Sequence, residues 1–189
     1  MTRSPLNITV GCAAILAPPL HSLTDVMEWT HGGFSDAQLW LNYIAFLPMP
    51  WLLLGICAVR QPRPDVPAIA GALLYGVAFT YFAHTTLYAL SEHVPTYEAL
   101  WSKLGHTYTV HGAAMVVGGL LFAWSALRGG WLPKAAVGLF AAGIAMNLLL
   151  ALLPAPDILQ TIGTAARNVG LMGMGYATLR GPALARGGS

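Results

Sequence analysis

In the stretch PPLHSLTDVMEWTH, residues 18–31, His21 is followed by Asp25 and Glu28 at offsets of four and three. On a helix of 3.6 residues per turn the three side chains fall within about 60° of arc. An imidazole beside a carboxylate is the arrangement of a positioned acid/base pair, in which the carboxylate orients the ring and burial tunes both groups. The chain carries few other groups of this kind inside its apolar stretches. They include His84 and His111, the amides Asn42, Asn147 and Asn168, and a lone guanidinium, Arg167. His21, Asp25, Glu28, His84 and His111 are therefore the candidate catalytic residues. Arg167, Asn168, Asn147, Tyr81 and Tyr88 are the candidate substrate contacts. The tyrosines could stabilise a developing cation through their ring faces.

Each of these residues also has a structural reading. Asp25 and Glu28 lie close enough to a membrane surface to be solvated, and a buried histidine can be a satisfied core residue. Arg167 keeps its proton, so at depth it needs an anion or several carbonyls. Asp25, Glu28 or Asp157 would give a structural ion pair, and a ligand carboxylate or phosphate would give a binding site. His31, His93 and His106 fall in loops. Cys12 and Cys57 sit in apolar runs and read as two buried thiols used as small hydrophobes.

The elements that must position these groups are membrane helices. The sequence is 56% hydrophobic and 8% charged, against the quarter or so of charged residues expected in a soluble domain. A net charge of +2 without a basic stripe excludes a nucleic-acid surface. No Gly-rich phosphate loop, CxxC pair or HExxH motif is present. Six segments approach the ~20 residues a spanning helix needs: about 7–29, 38–59, 67–91, 107–128, 132–153 and 158–179. Pro18 and Pro19 interrupt the first, and Pro48 and Pro50 lie inside the second. The first twenty residues imitate a signal peptide but end in no small-x-small cleavage site, so they read as a first span. The connection EHVPTYEALWSKLG is the longest, and TYEALWSKL has the spacing of a surface helix.

The expected fold is thus a single all-α integral membrane domain over residues 1–189, a polytopic bundle of six spans. With six crossings, Arg3, Arg60, Arg63, Arg128, Lys134, Arg180 and Arg186 fall on one side, and Lys103 is alone among loop cations on the other. The positive-inside rule then makes both termini cytoplasmic, in a multi-pass protein of the cell membrane. All six histidines fall in the outer half or outer loops on this topology.

Three stripes follow on helical spacing: His21, Asp25 and Glu28; Val77, Tyr81, His84 and Tyr88; Gln160, Thr164 and Arg167. A charge facing lipid at mid-bilayer costs at least about 2.5–3.5 kcal/mol, so each stripe is expected to face inward and line one extracytoplasmic pocket. The functional expectation is a membrane-embedded acid/base enzyme, an isomerase or cyclase, acting on a lipid-like or isoprenoid-like hydrophobic small molecule. No cofactor is expected on that reading. Its alternatives are a b-type haem held by His84 and His111, or a transition metal held by His21, His84, His111 and a carboxylate. A further alternative is a non-enzymatic binder, transporter or partner subunit. The lipid bilayer is the expected partner, nucleic acid is not, and the oligomeric state is unknown from sequence.

Overall fold

The structure, a computed structural model, describes residues 4–60, 62–153 and 157–181, without the side chains of 151, 152 and 157. Arg3, Arg186 and the Asp157 side chain, used above for topology and ion pairing, lie outside the described residues. Eight helices and no strand occur among the described residues: α1 Pro5–His31, α2 Asp36–Phe46, α3 Met49–Val59, α4 Val66–Ser91, α5 Tyr97–Leu104, α6 His106–Gly129, α7 Lys134–Leu152 and α8 Asp157–Arg180.

Local chemistry sets the boundaries. Ser4, Ser35, Asp65 and Thr96 cap α1, α2, α4 and α5, each accepting a backbone N–H three residues on. Gly32 ends α1 in the left-handed region, at φ 70°. Gly105 separates α5 from α6 at φ 53° and ψ −133°, a conformation a residue with a Cβ strongly resists.

Prolines act differently in the two places where they interrupt apolar runs. Pro18 and Pro19 leave α1 continuous, because that segment is clamped against α8. There a Cβ on Gly175 would come within 2.6 Å of the Ala14 Cβ, so the two backbones lie at close range. Pro48 and Pro50 do break the second segment. Each lacks the N–H that would bond the carbonyl four residues back. The single helix expected over 38–59 is therefore two, α2 and α3, joined by a tight bend in which Trp51 N–H donates to the Pro48 carbonyl at 3.0 Å.

Four rods are long and apolar enough to cross a membrane among the described residues: α1, α2 with α3 (Asp36–Val59), α4 and α6. The long helices close into a ring in the order α1, α2–α3, α4, α6, α7, α8 and back to α1. Small residues allow the tightest contacts. A Cβ on Gly71 would lie 2.6 Å from the Phe122 amide nitrogen, so α4 and α6 touch through their backbones. Within the ring, Tyr75 packs against Phe79 and Phe140 at 4.7 and 5.7 Å between ring centroids, and Phe122 meets Phe140 at 6.3 Å. Cys57 belongs to this core, whereas Cys12 is exposed on the outer face of α1, contrary to the expectation that both thiols are buried.

At the end away from α5, charges are tied down singly. Asp65 caps α4, accepts from the Ser125 hydroxyl, and pairs with Arg128 at 3.1 Å. Arg60 donates to Thr178 at 3.4 Å, and Arg180 lies over the Tyr176 ring at 4.5 Å.

The Ser125 hydrogen bond, with the Ala68 amide and Arg128 adding to it, holds the Asp65 carboxyl below its ordinary value near 3.8. A carboxyl depressed in the folded state stabilises above its unfolded pKa and loses that contribution as pH falls through the folded one. Asp65→Ala should lower unfolding stability by about 1 kcal/mol at neutral pH, mostly through the lost cap. The gap between wild type and variant, followed by thermal unfolding in detergent, should stay constant from pH 7 to 5 and narrow below about pH 4.

Candidate functional site

The α1–α2 loop and the α4–α5 loop meet at the other end of the ring, where Phe34 N–H donates to the Pro95 carbonyl at 2.8 Å. Beneath them is a cavity of ≈ 100 Å³ between α1, α2, α4, α5 and α6. His21, Asp25 and Glu28 form its α1 wall, with Asn42 on α2, Thr85 and Thr86 on α4, Tyr97 on α5 and Tyr108 on α6.

His21 is buried, with its ring tilted against Phe46 at 4.7 Å. Its Nδ1 lies 3.1 Å from Asn42 Oδ1 and 3.6 Å from Asp25 Oδ1. Both neighbours are acceptors, so Nδ1 carries the ring proton and donates, leaving Nε2 as the lone-pair nitrogen. That assignment follows the orientation of the Asn42 amide. The Thr24 hydroxyl, shared with the His21 carbonyl at 2.7 Å, also reaches Asn42 Oδ1 at 3.1 Å and fixes the amide.

Asp25 is anchored from across the ring. Asn147 Nδ2 donates to Thr164 Oγ1 at 3.0 Å, and the Thr164 hydroxyl bonds the Asp25 carboxylate. This relay joins α7, α8 and α1. One turn along α8, Asn168 Nδ2 donates to the Pro18 carbonyl at 3.0 Å and to Ser22 Oγ at 2.8 Å. Asn147 and Asn168 are therefore ties between helices through their amide donors; neither lines the cavity, and their Oδ1 atoms are buried without a partner among the described residues.

Above the cavity, Tyr97 leans against Tyr108 at 5.6 Å between centroids and is hydrogen-bonded to it. The Tyr97 ring is 43% exposed, yet its hydroxyl end is turned in against Tyr108, where desolvation raises the phenol above its ordinary value. It is a protonated donor at neutral pH.

His84 is corrected most plainly. It is exposed, roughly 180° around α4 from the face made by Tyr75, Phe79, Phe82 and Thr86. That face carries the bulk that fills the ring, so it decides the rotation of α4. His84 follows outward with Val77, while Tyr81 and Tyr88 are half-buried beside it. Tyr81 stacks on His111 at 3.8 Å and 13° between planes, and the His111 Nδ1–H donates to the Thr107 carbonyl at 2.8 Å. Tyr88 packs in a small apolar cluster with Leu39 and Val94. Neither His84 nor His111, the pair considered for a haem, lines the cavity. Among the described residues no three His, Cys, Asp or Glu side chains converge as a metal-ligand group, so His21, His84 and His111 do not meet as one.

Arg167 is 3% exposed and reaches across the ring from α8. Its Nη1 donates to the Met115 sulfur at 3.5 Å, and its Cζ lies 5.5 Å from the centre of the Phe79 ring. Asp25 feels the Arg167 charge at longer range, while its direct contacts are to His21 and Thr164.

Tyr97, Tyr108, Thr24, Thr85 and Thr86 were missed from sequence. Thr85–Thr86 inside an apolar run was the one signal available for the last two, while Tyr97 enters only because α5 folds over the ring. No family model matches the chain, and neither the curated proteins nor the solved structures provide a match.

Removing the Asn168 amide leaves the Ser22 hydroxyl and the Pro18 carbonyl without their donor. Asn168→Ala should therefore cost roughly 1–3 kcal/mol of stability, read as a lowered midpoint of thermal unfolding in detergent.

Proposed function

We propose that this chain is a six-span protein of the cell membrane, with both termini cytoplasmic, and that its extracytoplasmic cavity is an acid/base site for the polar end of a lipid-like or isoprenoid-like molecule. Six crossings, rather than four, are supported by the outer faces. Leu16, Trp51, Val77, Val117, Leu149 and Val169, one from each rod of the ring, are large, apolar and exposed. α7 has 19 residues, about 28 Å at 1.5 Å each, close to the ~30 Å hydrocarbon core. α8 has 24 residues, and its modest average hydrophobicity comes from residues that face inward, Thr164, Arg167 and Asn168. Arg60, Arg128 and Arg180 gather at one end and Lys103 on α5 at the other, which supports a cytoplasmic side at the arginine end.

The observation that carries the chemical reading is the His21 geometry: Nδ1 held by Asn42 and Asp25, Nε2 left to accept a proton, beside a cavity. In that arrangement His21 is the general base. Asp25 orients the ring and balances the imidazolium that forms, and the Tyr97 and Tyr108 phenols are placed to donate to an oxygen that gains charge. The cavity of ≈ 100 Å³ is smaller than the ~150 Å³ site that accepts a benzene ring. Only a few-atom polar end enters it, and the remainder of the molecule stays in the bilayer.

Proton transfer at carbon leaves an isotopic record. The full chain in nanodiscs, given a panel of isoprenoid alcohols and ketones in D₂O, should place deuterium on one of them. His21→Ala and Asp25→Asn should slow that exchange by about 10²-fold or more, while His84→Ala leaves it unchanged. Absence of exchange by wild type across the panel, or its loss in His84→Ala, overturns the reading. For topology, reporter fusions after Arg63, Gly130 and Arg180 should all report the cytoplasm and a fusion in α5 the outside.

A further inference from the structure

The donors of Arg167 are used unequally. Nη1 bonds Met115, whereas Nε and Nη2 are buried and have no partner among the described residues. These two nitrogens are not a random pair. Nε–H and the Nη2–H beside it point the same way from the guanidinium plane's long edge, the edge that receives two oxygens of one acceptor group side by side. A second unpaired donor shares this interior. Tyr75 is fully buried, its hydroxyl has no partner among the described residues, and its ring packs on Phe79 at 4.7 Å, the same ring that Arg167 overlies.

We infer that the Nε/Nη2 edge of Arg167 is a binding site for a carboxylate group, with the Tyr75 hydroxyl as a further donor.

A guanidinium buried inside a ring of membrane helices is costly unless its donors meet acceptors. Asp25 is close enough to feel the Arg167 charge, yet its ion-pair contact is to His21 and its hydrogen bond to Thr164, so the guanidinium edge is left without a bonded acceptor among the described residues. One fixed positive charge is balanced by one negative charge. A carboxylate supplies that with two coplanar oxygens, whereas a phosphate monoester brings close to two charges and a third oxygen that must also be desolvated. Met115, an unbranched and adaptable side chain, is the neighbour that can shift to admit the group. The site lies near the His21 cavity, since Asn168, next in sequence to Arg167, bonds Ser22, next to His21. It nevertheless stands apart from the acid/base reading: carboxylate binding requires no proton transfer, and deuterium exchange requires no carboxylate.

The test uses the full chain in nanodiscs and three probes of equal chain length: octanoate labelled with ¹³C at the carboxyl carbon, octyl phosphate and octanol. Octanoate should saturate with a shifted carboxyl resonance, octanol should not displace it, and octyl phosphate should compete more weakly. Arg167→Lys keeps the charge but loses the two-point edge, and should weaken octanoate about tenfold or more. Tyr75→Phe, which keeps the ring and its packing, should weaken it several-fold and gives the answer if Arg167→Lys fails to fold. Equal binding of octanol and octanoate, octanoate affinity unchanged in both variants, tighter binding of octyl phosphate, or no saturable octanoate binding each overturns the assignment.

Discussion

A guanidinium and a carboxamide on consecutive residues of one helix cannot face hydrocarbon, and much of this fold follows from that prohibition. Arg167 and Asn168 fix the rotation of α8, placing its polar side inward and leaving Ile162, Val169 and Tyr176 outside. With α8 so turned, Asn168 meets α1 at the level of Pro18 and Ser22, Thr164 meets Asp25, and Arg167 extends across the ring toward α4 and α6. The polar contacts select the register of α1 against α8. They add little attraction in a solvent already as apolar as leucine, so close packing must supply the rest. It does so at Gly11, Ala14 and Gly175, and again where Gly143 and Gly170 bring α7 against α8.

The opposite half of the ring is organised by size rather than polarity. Gly71 and Gly118 draw α4 and α6 together at backbone range. The space this leaves is filled by Tyr75, Phe79, Phe122 and Phe140. Phe79 is the point where the two halves meet, since it packs on Phe46 at 5.4 Å and lies under the Arg167 guanidinium. An aromatic face is one of the few apolar surfaces that attracts a buried cation, so the side chain that fills the core also partly compensates the charge inside it.

These two organising forces explain what could be read from the sequence. Helix positions were legible, because hydropathy and turn residues mark them directly: α4 begins at Val66 beside a reading of 67, and the surface helix in TYEALWSKL is α5. The face bearing His21, Asp25 and Glu28 was legible too, as two carboxylates leave one acceptable orientation. His84 was misread because one imidazole weighs less in the rotation of α4 than the bulk of Tyr75, Phe79 and Phe82 on the opposite face. The roles of Asn147 and Asn168 were hidden for a different reason. An amide announces a need for partners without naming them, and only the pairing of α7 with α8 and of α8 with α1 decides who they are.

The division between ties and free donors gives the interior its character. Asn147, Thr164 and Asp25 form one run of hydrogen bonds across α7, α8 and α1, His21, Asn42 and Thr24 form another between α1 and α2, and the 3.6 Å approach of Asp25 to His21 brings the two together. Each member is oriented by the next, so the imidazole is held in one tautomer and one direction before anything binds. α5 then covers this end, with Leu100 buried beneath it and Gly105 bending the chain back into α6. Covering a polar cluster with an apolar roof keeps bulk water from screening it, and in such a setting charges and dipoles interact more strongly than at a surface. Register between helices needs only a few such contacts, those of Asn168 with Pro18 and Ser22 among them, and the His21–Asn42–Thr24 cluster under α5 goes beyond that need. Fixed polar groups under a roof, beside a cavity that takes only a few atoms, are what orientation-dependent chemistry on a small polar end requires.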